Sequence, residues 1–478
     1  MKFFFSNFAL FSTALLLLIH FSVKAQIKLP VVIGDNMVLQ RGQNVPVWGK
    51  ASPGSRLKVT FAGQSKYTRA AEDSSWRVDL DPLAASFQPA AMVISSGKKA
   101  IKISNILVGE VWLCSGQSNM AYMMDRADYA PPHRGVDSAA LELRNVNDNI
   151  RLFKVDDVLF GKPQKLSNGW QQSGGGALAK FSTIGYYFAK NIQFKLKVPV
   201  GMLFSAVNGT PIEFWTPASA YDLDPGQKAL IDNETFMTDK RKGTLYEQMI
   251  RPLAPFAIKG FLWYQGESNC IANENTTYPI KLKVMANAWR KVWGKDNLPL
   301  YTVLIGPYKY TNWSGAIQSP QNLPLFWEAQ KQIPKNQNME IICISDLVDD
   351  LRDIHPSYKW EVGRRLSLIA LNKAYNNKNI EYSGPRFDHL EVQKNEAIVY
   401  FSHVDGLKTI DGASPNYFSV AGSDNIFYRA AAKIVGGKVI LSSGNVPNPI
   451  HVQFAWDETA QPNLVNYANL PAFPFSTN

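Results

Sequence analysis

The octapeptide Leu113-Cys114-Ser115-Gly116-Gln117-Ser118-Asn119-Met120 puts a serine hydroxyl where an apolar run ends. The run from Ile106 to Cys114 reads as a strand, and small and polar residues stop it abruptly. Such a break holds a side chain at the open end of a sheet, where α/β folds bind their ligands. Ser118 is therefore the candidate nucleophile, and its chemistry would be acyl transfer through a covalent ester. The spacing is not that of the G-x-S-x-G elbow, because Met120 stands where the second glycine belongs. The plainer alternative is a serine in a polar turn.

A serine nucleophile needs a base, a group that orients the base, and donors aimed at the oxyanion. Beyond residue 25 the histidines are His133, His355, His389, His403 and His451. Only His355 falls where an α/β pattern places a catalytic loop, after the strand at Ile341–Ile344 and before a helix starting at Lys359. It also has carboxylates beside it, Asp346, Asp349, Asp350 and Asp353. His133 lies in a Pro-rich loop and the others in strand-rich sequence. A second G-x-S-N, Gly266-Glu267-Ser268-Asn269, also follows an apolar strand, so spacing alone leaves Ser118 and Ser268 as rivals.

The elements that must position these groups follow from periodicity. Residues 26–105 read as a small β domain: Leu57, Val59 and Phe61 alternate with Lys58 and Thr60, and Trp76, Val78 and Leu80 alternate with Arg77 and Asp79. Short alternating strands separated by turns such as Ser52-Pro53-Gly54 indicate a sandwich. Residues 106–379 change period. Helical faces at Ile184-Tyr187-Phe188-Ile192, Leu282-Met285-Ala286-Trp289-Trp293 and Val362-Leu366-Ile369-Ala370 alternate with strands at Val198–Phe204, Phe261–Tyr264, Leu300–Ile305 and Ile341–Ile344. That alternation predicts βαβ units and a mainly parallel sheet. The stretches 121–180 and 216–245 lack clear period and read as long loops. Residues 380–478 return to short strands, with Gly436-Gly437 as a hairpin turn.

Met1-Lys2, the apolar stretch Phe8–Val23 and the small-residue spacing of Val23-Lys24-Ala25 read as a secretory signal peptide over residues 1–25. Its apolar core is short for a membrane span, and no cysteine follows the cut to carry a lipid anchor. The expected location is secreted or periplasmic. With 46% apolar and 19% charged residues, the rest of the 478-residue chain can build the cores of two to three domains. The net charge of +11 is spread out, with Lys240-Arg241-Lys242 its longest run, which excludes a nucleic-acid stripe and leaves mild attraction for anionic glycans. Cys114, Cys270 and Cys343 form no C-x-x-C, which excludes zinc and redox motifs; Cys114 and Cys343 read as buried thiols.

Four blocks occur in order: Gly116-Gln117-Ser118-Asn119-Met120, Gly209-Thr210-Pro211-Ile212-Glu213, Trp263-Tyr264-Gln265-Gly266-Glu267-Ser268-Asn269 and Asp353-Ile354-His355-Pro356. Together they resemble the sialate O-acetylesterase family, an SGNH-type group of carbohydrate esterases. Leu245-Tyr246, Met249-Ile250 and Pro252-Leu253 resemble the approach to the third block, and Asn463-Leu464 through Pro471-Ala472-Phe473-Pro474-Phe475 resembles the family's ending. The resemblance implies an SGNH-hydrolase-like three-layer α/β domain with a mainly parallel sheet, flanked by N- and C-terminal β-sandwich-like domains. It implies Ser118 as nucleophile, His355 as general base and Asp353 as the orienting acid, with Asp349 and Asp350 as alternatives. Many SGNH enzymes carry the acid three residues before the histidine, where this chain has Arg352. The implied oxyanion donors are the backbone N–H groups of Ser118 and Gly209 and the side chain of Gln265, with Asn119 and Glu267 in support.

No metal or organic cofactor is implied, and the partner is an acetylated sugar. Relatives read W-G-G-T-P in the second block, whereas this chain reads Val207-Asn208-Gly209-Thr210-Pro211. Asparagine tolerates left-handed backbone, so the turn is expected to survive. The implied function is hydrolysis of O-acetyl esters of sialic acids. The rivals are the same chemistry on another glycan, such as acetylated xylan, and a non-catalytic carbohydrate-binding protein. A binder has no need of Ser118 and His355 together.

Overall fold

The computed structural model describes residues 27–128, 136–156, 166–222, 225–232, 234–313, 319–332 and 338–478; the expected signal peptide and His133 lie outside them. Strands β1 to β6 (Val38–Gln40, Val45–Lys50, Arg56–Phe61, Gln64–Arg69, Ser75–Leu80 and Ser86–Ser96) lead into the 18-residue strand β7, Lys99–Gly116. β6 pairs antiparallel with the first half of β7, and β1 pairs parallel with Leu107–Gly109. Asn105, left-handed at φ 59°, lies where the β6–β7 register shifts between Ile103 and Ile106. From Glu110 onward β7 belongs to a second set of strands. The expected boundary at 105/106 thus falls inside one strand. Val47 and Trp76 share a single buried cluster with Trp112 and Phe261.

The second set comprises β8 (Asn147–Lys154), β9 (Trp170–Ser173), β10 (Val200–Ala206), β11 (Gly260–Tyr264), β12 (Leu300–Val303) and β13 (Met339–Ile342), in the spatial order β13-β12-β11-β7-β10-β8-β9. Only β9, on the edge, runs antiparallel to its neighbour. Val111 to Cys114 at the centre of β7 are fully buried, as a parallel strand covered on both faces requires. The chain fills one side of β7 with β8 and β10, then the other with β11, β12 and β13. That reversal opens a crevice at the carboxyl ends of the strands.

The predicted helices are Thr183–Leu196, Tyr278–Trp293 and Lys359–Ile369. Ser182 caps the first by accepting from the Gly185 N–H. Trp289 and Trp293 of the second meet Phe261 edge-on, each with ring centroids 5.3 Å apart. The stretch expected as loop from 121 to 180 instead holds β8, β9 and the helix Val136–Arg144, and 216–245 holds the helix Pro225–Ile231. Asp148, Asn149 and Arg151 hide the alternation of β8. Arg151 is 2% exposed and donates to the Asp148 carbonyl at 2.8 Å. The C-terminal strands have a separate core that includes Val399, Val439, Phe454 and Phe475. The whole is a mixed α/β chain with one large mixed sheet and several small ones. Among the described residues, no helix is long and apolar enough to cross a membrane.

Candidate active site

The four sequence blocks end at the same edge of the sheet. Ser118 follows β7, Asn208-Gly209 follows β10, Gln265 to Glu267 follow β11, and His355 lies between β13 and the helix Lys359–Ile369. Backbone bonds lock the first three together. The Gln117 N–H donates to the Tyr264 carbonyl at 3.0 Å, and the Val207 N–H donates to the Gly116 carbonyl at 3.2 Å. Gly116 has φ 140°, and a Cβ there would lie 2.0 Å from the Tyr264 oxygen. Only glycine lets the chain leave β7 so close to β11.

Ser118 is partly exposed between two buried neighbours, Gln117 and Asn119. Among the described residues, no acceptor takes the N–H of Ser118 or of Gly209. Gly209 turns with φ 65°, whereas Asn208 has no positive φ. The unusual Asn208 therefore sits on ordinary backbone, and the left-handed tolerance expected of it is not used. Ser268 is placed differently. It lies in the short helix Glu267–Ile271, and its N–H already donates to Gln117 Oε1 at 3.3 Å.

His355 Nδ1 lies 3.2 Å from Asp353 Oδ1, and the same oxygen accepts the His355 backbone N–H at 2.8 Å. The His355 side-chain hydrogen bond holds the Asp353 carboxyl below its ordinary range, so it is ionised at neutral pH. With Nδ1–H donated to Asp353, Nε2 is left as an acceptor. The other acids of the loop have different partners: Asp350 holds Arg352, Asp346 holds Arg365 through two bonds, and Asp349 accepts from Ser357. His389, His403 and His451 lie in the C-terminal β segment, the first two beside Asp388 and Glu381.

The base loop and the nucleophile turn meet through Asn119. Its Nδ2 donates to Glu267 Oε1 at 2.5 Å and to the Ile354 carbonyl at 3.1 Å. Lys359 Nζ donates to Asn119 Oδ1 at 2.6 Å and also to the Pro356 carbonyl. Glu267 is buried, which raises its carboxyl above the usual range, and among the described residues its Oε2 has no hydrogen-bond partner. Lys359 is wholly buried, which pushes its ammonium down to about 7 against the pull of Glu267 and Asp353. Sequence reasoning missed Lys359. Its one signal was a cation at the first residue of a helix, where the dipole disfavours positive charge.

Gln265 departs from the expectation for it. It is fully buried, and its Nε2 donates to Asn269 Oδ1 at 2.7 Å and to the Thr210 carbonyl at 3.3 Å, while Oε1 accepts from Tyr278 at 2.9 Å. Both amide hydrogens are taken, so in this geometry the side chain holds the Gly209-Thr210 turn. The orientation is set from below. Asn269 Nδ2 donates to Glu213 and Glu274, which turns Asn269 Oδ1 toward Gln265. Glu213, Glu234 and Glu274 converge as a metal site would, but Lys281 Nζ sits among them, 2.5 Å from Glu213 and 2.8 Å from Glu274. Burial alone would lower the Lys281 ammonium; the three carboxylates outweigh it and raise it.

The family described as carbohydrate esterase, sialic acid-specific acetylesterase matches residues 108–369, more than half of the chain. The chain belongs to that family. The matched span includes Ser118, Gly209, Gln265, Asp353, His355 and Lys359. This carbohydrate esterase is similar to the human sialate O-acetylesterase, 26% identical over 413 residues that cover 78% of this chain and 75% of the relative. The mouse sialate O-acetylesterase is also 26% identical, covering 78% of each chain. Among solved structures, a carbohydrate acetylesterase from Xanthomonas citri is 30% identical, with a TM-score of 0.82 over 95% of this chain and 100% of that one. As a member of the family, the esterase is a carboxylic ester hydrolase.

Proposed function

We propose that this esterase removes O-acetyl groups from sialic acids, with Ser118 as nucleophile, His355 as general base and Asp353 as its orienting acid. The observation that carries the assignment is the Asp353–His355 pair, held by Asn119 against the turn that bears Ser118. His355 Nε2 takes the proton as Ser118 Oγ attacks the acetyl carbonyl. The oxyanion meets the N–H groups of Ser118 and Gly209, which point at no other described acceptor. Collapse of the tetrahedral adduct breaks the bond to the sugar oxygen, and His355 protonates the departing alkoxide. A water that His355 deprotonates then attacks the acetyl-Ser118 ester; the bond to Ser118 Oγ breaks, His355 returns the proton to that oxygen, and acetic acid leaves and ionises to acetate. In this reading Gln265 acts indirectly, by fixing the turn at Gly209.

The sugar is inferred from the family's description and from the sialate O-acetylesterases among the relatives. A net charge of +11 also suits a substrate that carries a carboxylate. The leader-like residues 1–25 would place the enzyme outside the cytoplasm, and the flanking strand-rich segments would act as sandwich-like domains around the catalytic sheet. Acetate release from a panel of O-acetylated sialic acids and acetylated xylo-oligosaccharides tests the substrate. Higher kcat/KM on a sialate is expected; a preference for xylo-oligosaccharides would overturn it.

A further inference from the structure

We propose that Lys359 is a positioning residue that fixes the base loop to the nucleophile turn through Asn119. The proposal rests on the Ser118–His355 assignment above. Its basis is that the carbonyls on either side of His355 are both held. The Ile354 carbonyl accepts from Asn119 Nδ2 at 3.1 Å, and the Pro356 carbonyl accepts from Lys359 Nζ. Lys359 closes the circuit by donating to Asn119 Oδ1 at 2.6 Å. Asn119 follows Ser118 directly, so the nucleophile turn and both flanks of the base share one set of hydrogen bonds.

The chemistry leaves this set one orientation. The Ile354 carbonyl can only accept, so the nitrogen of the Asn119 amide must face it and, beside it, Glu267 Oε1. Its oxygen then faces the N–H donors of Lys359. Two aromatic rings also flank the amine, with Nζ 4.9 Å from the centroid of Tyr122 and 5.9 Å from that of Tyr264, and the charges of Glu267, Asp353 and Arg126 act on it. A methionine would fill a similar volume without the cost of burying a cation. A buried charge is weak evidence for stability, and its attested uses lie in fixing one arrangement. A misplacement of about 1 Å between catalytic groups costs roughly 10²-fold in rate.

The test is Lys359→Met alongside Asn119→Ala, the double variant and Ser118→Ala, each checked for folding by circular dichroism and thermal melting. Lys359→Met should lower kcat by about 10²-fold with KM changed less than about threefold, because the lysine meets loop geometry rather than sugar. The double variant should fall no lower than Asn119→Ala alone, since both remove the same link. A wild-type kcat for Lys359→Met, or losses that multiply in the double variant, would overturn the proposal while an inactive Ser118→Ala leaves the nucleophile in place. Activity retained by Ser118→Ala would instead bring down the underlying assignment. Should Lys359→Met fail to fold, Lys359→Gln, which keeps a donor, takes its place. Failure of both to fold would make the network a folding element and refute the positioning role.

Discussion

Burying Lys359 leaves a signature in stability that depends on pH. The ordinary lysine value of 10.5 applies to the unfolded chain, and burial pushes the folded group down to about 7. At about 1.36 kcal/mol per unit, keeping the proton in the folded state costs on the order of 5 kcal/mol below pH 7. Above pH 7 the folded lysine sheds its proton, while the unfolded chain keeps it until pH 10.5. The unfolded state then binds more protons, so stability rises with pH across that window. The neutral amine still has two hydrogens, which match its two acceptors, Asn119 Oδ1 and the Pro356 carbonyl. The link therefore survives deprotonation. Lys359→Met has no proton to lose, so its stability should lack this rise. Between pH 6 and pH 9 the wild type should gain roughly 2 to 3 kcal/mol relative to the variant. Urea titrations of both proteins at the two pH values, read with one probe, measure this difference directly. The pH-independent loss of hydrogen bonds cancels in the comparison. Curves that keep the same separation at pH 6 and pH 9 would refute a buried, titrating Lys359.

Asp353→Asn should keep the fold but lower kcat by about 10⁴, because the imidazole loses the carboxylate that fixes its tautomer; Asn substitutions at Asp346, Asp349 and Asp350, assayed in parallel, should be milder, and a near-normal Asp353 variant would move the role elsewhere. Gln265→Ala should lower the melting temperature while the rate per folded molecule falls less than about tenfold, since a loss of about 10² to 10³ is what removal of a direct oxyanion donor costs. Glu267→Gln, whose amide oxygen can still accept from Asn119, should retain most activity, whereas Glu267→Ala should lose about 1–3 kcal/mol of stability by leaving a buried donor unpaired; equal melting temperatures for the two variants would contradict the brace.

The sequence made the sheet legible where its strands were uniformly apolar, as at Phe261–Tyr264, because burial on both faces leaves no room for polar residues. It hid β8, because Arg151 satisfies its guanidinium on a local carbonyl and so interrupts the pattern without leaving the core. The expected boundary at 105/106 followed a change of period, but the single strand β7 runs through it, still paired with β6 at Ile106 and Val108 and taking β10 as a neighbour from Glu110. The first three blocks follow the carboxyl ends of β7, β10 and β11, and the fourth lies in the loop after β13, which is how their order points to one candidate site. That order did not reveal which way Gln265 points. That direction depends on Asn269, four residues on, whose own amide is turned by Glu274 and by Glu213, the last of them distant in sequence and invisible to local spacing. Lys359 was hidden for a related reason: a lysine opening a helix reads as solvated until Asn119 and the Pro356 carbonyl are seen to enclose it.

The central claim is that Ser118 attacks the acetyl ester of a sialic acid. Acetate release from an O-acetylated sialic acid, measured for wild type, Ser118→Ala and Ser268→Ala, tests it most directly. Loss of the nucleophile should lower kcat by roughly 10⁴ to 10⁶, while Ser268→Ala, a change inside the short helix Glu267–Ile271, stays within about tenfold of wild type. Turnover retained by Ser118→Ala and abolished in a folded Ser268→Ala would contradict the account.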